Sequence, residues 1–359
     1  MRNRNTEALI SKSIDVILDN QSVNGAFIAS PNFPTYHYSW IRDGSYIADA
    51  LKLWGKDQAA NKFHHWVAEI VLRRKGLIES AISKLQAGEA LAPHESLHTR
   101  YTLQGHEGMK EAWPNLQHDG FGTWLWVLER FLKDEKDASA ELLEAGDLTA
   151  RYLEAIWTQP CYDSWEEFPD YMHTYTLACI FGGLERWSWL RGRGSSGAAQ
   201  AIRTRVLREA VADGHFIKSI GIQGVDGNLL AVSTLYALVP ATEPIFRNTL
   251  KQIEEEICWN FGVQRYKTDT YYGGGLWLLL SAWLGLAYVA LGEQEKAACC
   301  LAWIERQCNA ALELPEQVAE HVNSPKHIQE WTQRWGPVAT PLLWSHANYL
   351  ILAKALEKM

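Results

Sequence analysis

The chain has 359 residues, 47% of them hydrophobic, with 34 Lys and Arg against 42 Asp and Glu for a formal charge of −8. That length can bury a large core, and the acidic balance, with no basic cluster, excludes a nucleic-acid surface and points to a neutral partner. No segment has the length and apolarity of a membrane span or of a signal peptide's apolar stretch, which predicts a cytoplasmic protein that does not enter a membrane. Six cysteines without CxxC spacing read as buried apolar residues, with neither a metal nor a disulfide framework.

Apolar residues recur at three- and four-residue steps along the chain, the period of a helix with one buried stripe. The first such stretch, Asp43 to Trp54, aligns Tyr46, Ile47, Ala50, Leu51 and Trp54. Trp124, Leu125, Val127, Leu128 and Phe131 make the next clear face. A helix start at Asp170 then leads into Tyr175, Ala178, Cys179, Gly182 and Leu184. Arg191 to Ala198 is a Gly- and Ser-rich interhelix loop, and a short ribbon is predicted near Phe216–Lys218 and Ile220–Ile222. Trp277, Leu280, Trp283, Leu284 and Ala287 form a further stripe, followed by Leu343, Trp344, Ala347, Leu350 and Ile351. No linker divides the chain. The expectation is one all-α domain over residues 1–359, a toroid of roughly a dozen helices whose paired helices make the wall and whose loops at one end make the site.

Residues capable of chemistry fall just upstream of these stripes: Tyr38–Asp43, Trp113–Gly120, Trp165-Glu-Glu167, Arg265–Gly275, and Leu314–Gln317 with Trp335–His346. Loops of this kind on one rim would converge on a single pocket. Glu166 and Glu167 lie between Trp165 and Phe168, where an apolar wall and a like charge both raise a carboxyl pKa toward the working range of a general acid. The 17 Trp and 14 Tyr outnumber the 10 Phe. Rings with a polar handle, together with Arg and carboxylates, suit a sugar, whose apolar faces stack while its hydroxyls take charged partners. Other chemistries are less favoured. His94-Glu-Ser-Leu-His98 lacks the HExxH arrangement and reads as a polar loop near the rim. Gly273-Gly-Gly275 lacks the P-loop lysine and follows no predicted strand, so it reads as a turn that permits close backbone approach. No metal or cofactor is called for.

In order along the chain, Trp40-Ile-Arg-Asp43, Gln117-His-Asp-Gly120, Asp163-Ser-Trp-Glu-Glu167, Arg265-Tyr-x-x-Asp-x-Tyr-Tyr-x-Gly274-x-x-Trp277, Pro315-Glu-Gln317 and Leu343-Trp-Ser-His-Ala347 resemble the motifs of the glycoside hydrolase family 15 catalytic domain, the glucoamylase, glucodextranase and α-glucosidase group. That resemblance implies an (α/α)6 barrel and inverting hydrolysis of α-linked glucosides from the non-reducing end. Glu166 matches the general acid and Glu316 the general base. Glu167 matches a hydrogen-bonding neighbour on the leaving-group side. Arg42, Asp43 and Arg265 match residues that grip sugar hydroxyls, although a buried Arg42–Asp43 ion pair joining two loops is the alternative. Trp113 and Trp165 match stacking platforms, and Trp40 and Trp344 pocket walls, whereas Trp277 and Trp283 read as core. Gln117 and Asp119 match binding positions, with Asp119 alternatively an N-cap.

The resemblance is incomplete. No β-sandwich domain precedes the first motif, no starch-binding module follows, and Trp113-Pro-Asn-Leu-Gln117 departs from the starch-degrading version of its loop. Those departures favour short α-glucan oligosaccharides over polymer and leave the linkage open. Two alternatives stand beside the hydrolase: an inverting phosphorylase, disfavoured because phosphate needs no base such as Glu316, and a non-catalytic glycan-binding domain on the same fold.

Overall fold

The computed structural model describes residues 4–107, 113–133, 135 and 138–358. Fourteen helices are found among them: α1 (Arg4–Asp19), α2 (Ile41–Leu53), α3 (Asp57–Arg73), α4 (Lys75–Gln86), α5 (Asp119–Leu132), α6 (Ala140–Ile156), α7 (Thr174–Leu190), α8 (Gly197–Glu209), α9 (Leu230–Thr234), α10 (Pro244–Glu256), α11 (Leu278–Ala290), α12 (Gln294–Glu305), α13 (Lys326–Trp335) and α14 (Leu343–Glu357).

Two kinds of helix alternate because two kinds of sequence do. α2, α5, α7, α9, α11 and α14 are buried around most of their circumference; most are apolar on nearly every side, as such burial requires, whereas α2 also buries Arg42, Asp43 and Asp49. They touch in the closed order α2–α5–α7–α9–α11–α14–α2 and form an inner ring. α1, α3, α6, α8, α10 and α12 bury one face each; α10, for example, buries Phe246, Thr249, Leu250 and Ile253 and leaves its Glu-rich face in water. Each outer helix precedes an inner one in the chain, which gives the (α/α)6 barrel. Where α5 crosses α7 the helices approach so closely that a Cβ on Gly122 would lie 2.6 Å from the Cys179 carbonyl carbon, so that position admits only glycine.

Aromatic residues fill the barrel axis. The Tyr46 hydroxyl lies 3.0 Å from that of Tyr175 and 2.6 Å from that of Tyr236, which also bonds Thr123 Oγ1 at 2.8 Å. Trp283 stacks on Tyr175, and Trp344 stacks on Tyr46 with centroids 5.8 Å apart. Satisfied phenols thus form a rigid floor beneath the ends of the inner helices that carry the loops.

Several local expectations are corrected. The helix expected at Asp170 begins at Thr174, because Met172–His173 first pairs with Ser219–Ile220. The predicted ribbon is split: His215–Phe216 turns back on Val211–Ala212 through Asp213 and Gly214, both at positive φ as a two-residue hairpin turn requires, while Ser219–Ile220 joins residues 172–173. The cysteines are not uniformly buried, since Cys299 on α12 is exposed. His94 and His98 lie beside a short turn at Pro93–Glu95, where Glu95 accepts from Ala92 N, and they do not line the cavity described below. Among the described residues, no helix is long and apolar enough to cross a membrane.

Candidate active site

A cavity of about 360 Å³ opens among the loops that enter the inner helices. The first wall comes from the entry to α2. Ser39–Trp40 pairs with Arg100–Tyr101, which turns the Trp40 indole into the cavity and places Arg42 and Asp43 in the first helical turn. Arg42 is held on every side: Nη1 donates to Gln117 Oε1 at 3.1 Å and Asp119 Oδ2 at 3.2 Å, Nε lies 3.2 Å from Asp43 Oδ1, and the guanidinium sits 4.8 Å from the Trp344 ring. Burial pushes the Asp43 carboxyl up to about 6, with Arg42 pulling it down and Glu166 adding to the rise.

Gln117 and Asp119 therefore stand behind Arg42 and do not line the cavity. Asp119 is not the N-cap of α5, a position occupied by His118; it is the first helical residue, and its Oδ1 accepts from Gly120 N.

The turn Asp163–Phe168 makes the second wall. Asp163 Oδ1 accepts from both Trp165 N and Glu167 N at 2.9 Å, folding the backbone so sharply that Glu166 takes φ +67° and Phe168 φ +52°. Left-handed backbone costs a non-glycine residue roughly 1–2 kcal/mol, so the surrounding contacts must enforce it. Its effect is to aim Glu166 into the cavity, where Oε1 accepts from Trp40 Nε1 at 2.7 Å. Glu167 Oε2 accepts from the Tyr266 hydroxyl, and Oε1 lies 3.6 Å from Arg265 Nη2. Burial raises the Glu167 pKa, and Arg265 opposes the rise. Arg265 is in turn fixed by a bidentate pair with Asp269, one arm of which, Nε to Oδ2, measures 2.8 Å.

The same cavity is lined by Glu316, just before Gln317–Val318, which pairs with Leu276–Trp277. The Tyr36 hydroxyl donates to Glu316 Oε1 at 2.9 Å and lies 3.0 Å from the Tyr271 hydroxyl. Glu316 Oε2 is buried without a well-formed protein hydrogen bond, although the Gln317 side chain is close enough to pull the carboxyl pKa down, so it can accept a proton or hydrogen bond from whatever enters the cavity. Burial pushes this carboxyl up to about 7, against the pull of Tyr36 and Arg265. Gly275 makes the close approach to the Gln317 strand possible: a Cβ there would lie 2.5 Å from Val318 O, and Gly275 N donates to Gln317 Oε1 at 3.0 Å.

Of the residues expected at the site, Trp40, Arg42, Asp43, Trp113, Trp165, Glu166, Glu167, Arg265, Glu316 and Trp344 line this one cavity. Trp113 packs edge-on to Trp40 and carries the buried Arg100 guanidinium 3.5 Å from its ring centre. Trp283 is core, and so is Trp277, which is buried in the same cluster; but Trp277 precedes α11 and also turns its indole to the cavity against Trp165. Tyr36, Tyr271, Trp331, Arg334 and Trp335 also line it and were not anticipated. Tyr271 lay within the Arg265–Gly275 segment and Trp335 opened the Trp335–His346 segment, but neither was singled out. Ile328, Trp331 and Trp335, at helical spacing, were the unused signal for α13, which lends Trp331, Arg334 and Trp335 to the cavity lining. Among the described residues, no group of three or more His, Cys, Asp or Glu side chains is gathered as a metal site would need.

The pattern of the family described as "Glycosyl hydrolases family 15" matches residues 7–354. Over 351 residues the chain is 40% identical to the isomaltose glucohydrolase of Kribbella flavida, covering 95% of this chain and 90% of that protein. A solved glycosidase variant in complex with glucose superposes with a TM-score of 0.94 at 36% identity, covering 98% of this chain and 97% of that one. A bacterial glucoamylase solved with acarbose shares the fold, with a TM-score of 0.73 at 19% identity over 98% of this chain and 55% of that one.

Proposed function

The chain belongs to glycoside hydrolase family 15, and from that premise we propose that it is an inverting exo-acting α-glucosidase, a single catalytic unit over residues 1–359 that releases β-glucose from short oligosaccharides. Glu166 protonates the glycosidic oxygen as the bond to the anomeric carbon breaks. Glu316 takes a proton from a water, whose oxygen attacks that carbon from the opposite face, so each turnover inverts the centre. Arg42 and Asp43 hold hydroxyls of the terminal glucose, Trp40 and Trp344 flank its ring, and Glu167 with Arg265 faces the leaving group. Gln117 and Asp119 act through Arg42 by fixing its guanidinium.

One observation carries the reading: two carboxylates far apart in the chain, Glu166 and Glu316, line the same cavity, each held by one aromatic donor. A pair of this kind divides the work of acid and base, as adjacent Glu166 and Glu167 would not. The substrate class is supported by volume. About 360 Å³ lies at the small end of the ~300–1,000 Å³ typical of small-molecule sites, and Trp331 and Trp335 add to its aromatic lining, which suits a disaccharide better than a polymer chain. The kinship with an isomaltose glucohydrolase makes the α-1,6 linkage of isomaltose our preferred substrate. The free cysteines fit a reducing, cytoplasmic setting.

Incubation with isomaltose, maltose, trehalose and longer α-glucans, with and without inorganic phosphate, tests this reading. The expected result is glucose release fastest from isomaltose and indifferent to phosphate. Glucose 1-phosphate formed only with phosphate present would replace hydrolysis by phosphorolysis, and sugar binding without turnover would replace both by a non-catalytic role.

A further inference from the structure

Beneath the Asp163–Phe168 turn lies a buried cluster of three charges. Lys218 is 5% exposed, and its Nζ lies 2.9 Å from Asp163 Oδ2 and bonds Asp226 Oδ2. Each carboxylate spends its other contacts on the turn. Asp163 caps the amides of Trp165 and Glu167; Asp226 accepts from Trp165 Nε1 at 2.9 Å and from Asn228 N at 2.9 Å, and Asn228 Nδ2 donates to Ser164 Oγ at 3.0 Å. The Lys218 ammonium also sits 4.1 Å from the ring centre of Tyr266, whose hydroxyl bonds Glu167. Its backbone is anchored separately, accepting from Thr174 N at the start of α7 and donating to Gly224 O. One cation therefore joins the segments on both sides of the Glu166 turn.

We propose that Lys218 is the positioning residue for the general acid: by neutralising Asp163 and Asp226 together, it holds the turn that forces Glu166 into its left-handed backbone and keeps the carboxyl within reach of Trp40 and the glycosidic oxygen. The inference rests on Glu166 being the acid. Asp163 and Asp226 both approach one ammonium, and without it two buried carboxylates would face each other uncompensated. Relief comes by opening the turn, since Asp163 Oδ1 is what ties Trp165 and Glu167 into it. Glu316 is held by Tyr36 on another loop and receives no contact from this cluster, so the base should stay in place while the acid is displaced.

The test follows from that asymmetry. In Lys218→Met, kcat/KM on isomaltose is expected to fall roughly 10²-fold or more, as for a lost general acid, while an aryl α-glucoside with a nitrophenol leaving group, which departs without protonation, loses only a few-fold. Asp226→Asn keeps an acceptor for Trp165 Nε1 and removes one charge. It should show the same substrate bias in weaker form, and it carries the test alone if the lysine variant does not fold by near-UV circular dichroism. Equal losses on the two substrates, or none, in a folded variant would overturn the role of Lys218. Glu166→Gln run alongside separates the two levels. If it shows the bias and the Lys218 and Asp226 variants do not, the positioning role fails; if it lacks the bias itself, the acid assignment fails first.

Discussion

Glu316→Gln should lower kcat on isomaltose by about 10²–10⁴-fold, the span typical of a lost general acid or base, while KM changes little. The amide keeps the size of the side chain and an oxygen for the Tyr36 hydroxyl, so the cavity and its sugar contacts survive; what it cannot do is accept a proton from water in the transition state. The same carboxyl sets the pH response. Because burial pushes it from an ordinary 4.5 up to about 7, it is protonated and useless as a base at acid pH, and kcat/KM should fall as pH drops through the region near 7. Sugar or water donating to Oε2 favours the charged form, so the limb in kcat should lie lower than that in kcat/KM. Linkage has the matching sign. A carboxyl whose folded pKa lies above its unfolded one binds more protons when folded between 4.5 and about 7, so its contribution to stability declines as pH rises through that window. Glu316→Gln should therefore melt higher than the wild type above pH 7 and lose that advantage below 4.5. Wild-type turnover in this variant would remove Glu316 from the mechanism.

Glu166→Gln should behave differently. Its loss ought to reach the same order, about 10²–10⁴-fold, on isomaltose, whose leaving alcohol cannot depart as an alkoxide. On a nitrophenyl α-glucoside it should shrink to a few-fold, because that leaving group needs no proton. Trp40 Nε1 donates to the residue in either form, so the variant retains its position and the difference reports chemistry alone. Equal losses on both substrates would mean that Glu166 serves binding or structure and that the proton comes from elsewhere.

The parts of this site that could be read from the sequence are those where one residue type must serve one chemical need. Glu166 drew attention as one of two adjacent carboxylates between Trp165 and Phe168, Glu316 was reached only through the resemblance of Pro315-Glu-Gln317 to the family motif, and α2, α5, α7, α11 and α14 stood out through their recurring apolar stripes. What escaped depends on direction. Trp277 shares the spacing of the α11 stripe, yet it lies one residue before the helix, where the extended backbone turns it into the cavity. Asp119 has the sequence of an N-cap but spends its oxygens on Gly120 and Arg42, a partner brought from α2. α13 was missed because its apolar residues, Trp331 and Trp335 among them, line the cavity and pack only on the edge of the core, so none of them is fully buried. Lys218 was legible only as part of a ribbon; that it neutralises Asp163 from a distant loop together with the nearby Asp226 is a property of the closed ring.

The central claim is inversion by a separated acid and base, and the anomeric configuration of the first sugar released tests it most directly. Proton NMR of isomaltose hydrolysis, recorded before mutarotation equilibrates the product, should show the β-anomer signal of glucose appearing first and the α signal growing only later. α-Glucose as the initial product would require a covalent intermediate and a carboxylate acting as nucleophile, and would contradict the roles assigned to Glu166 and Glu316.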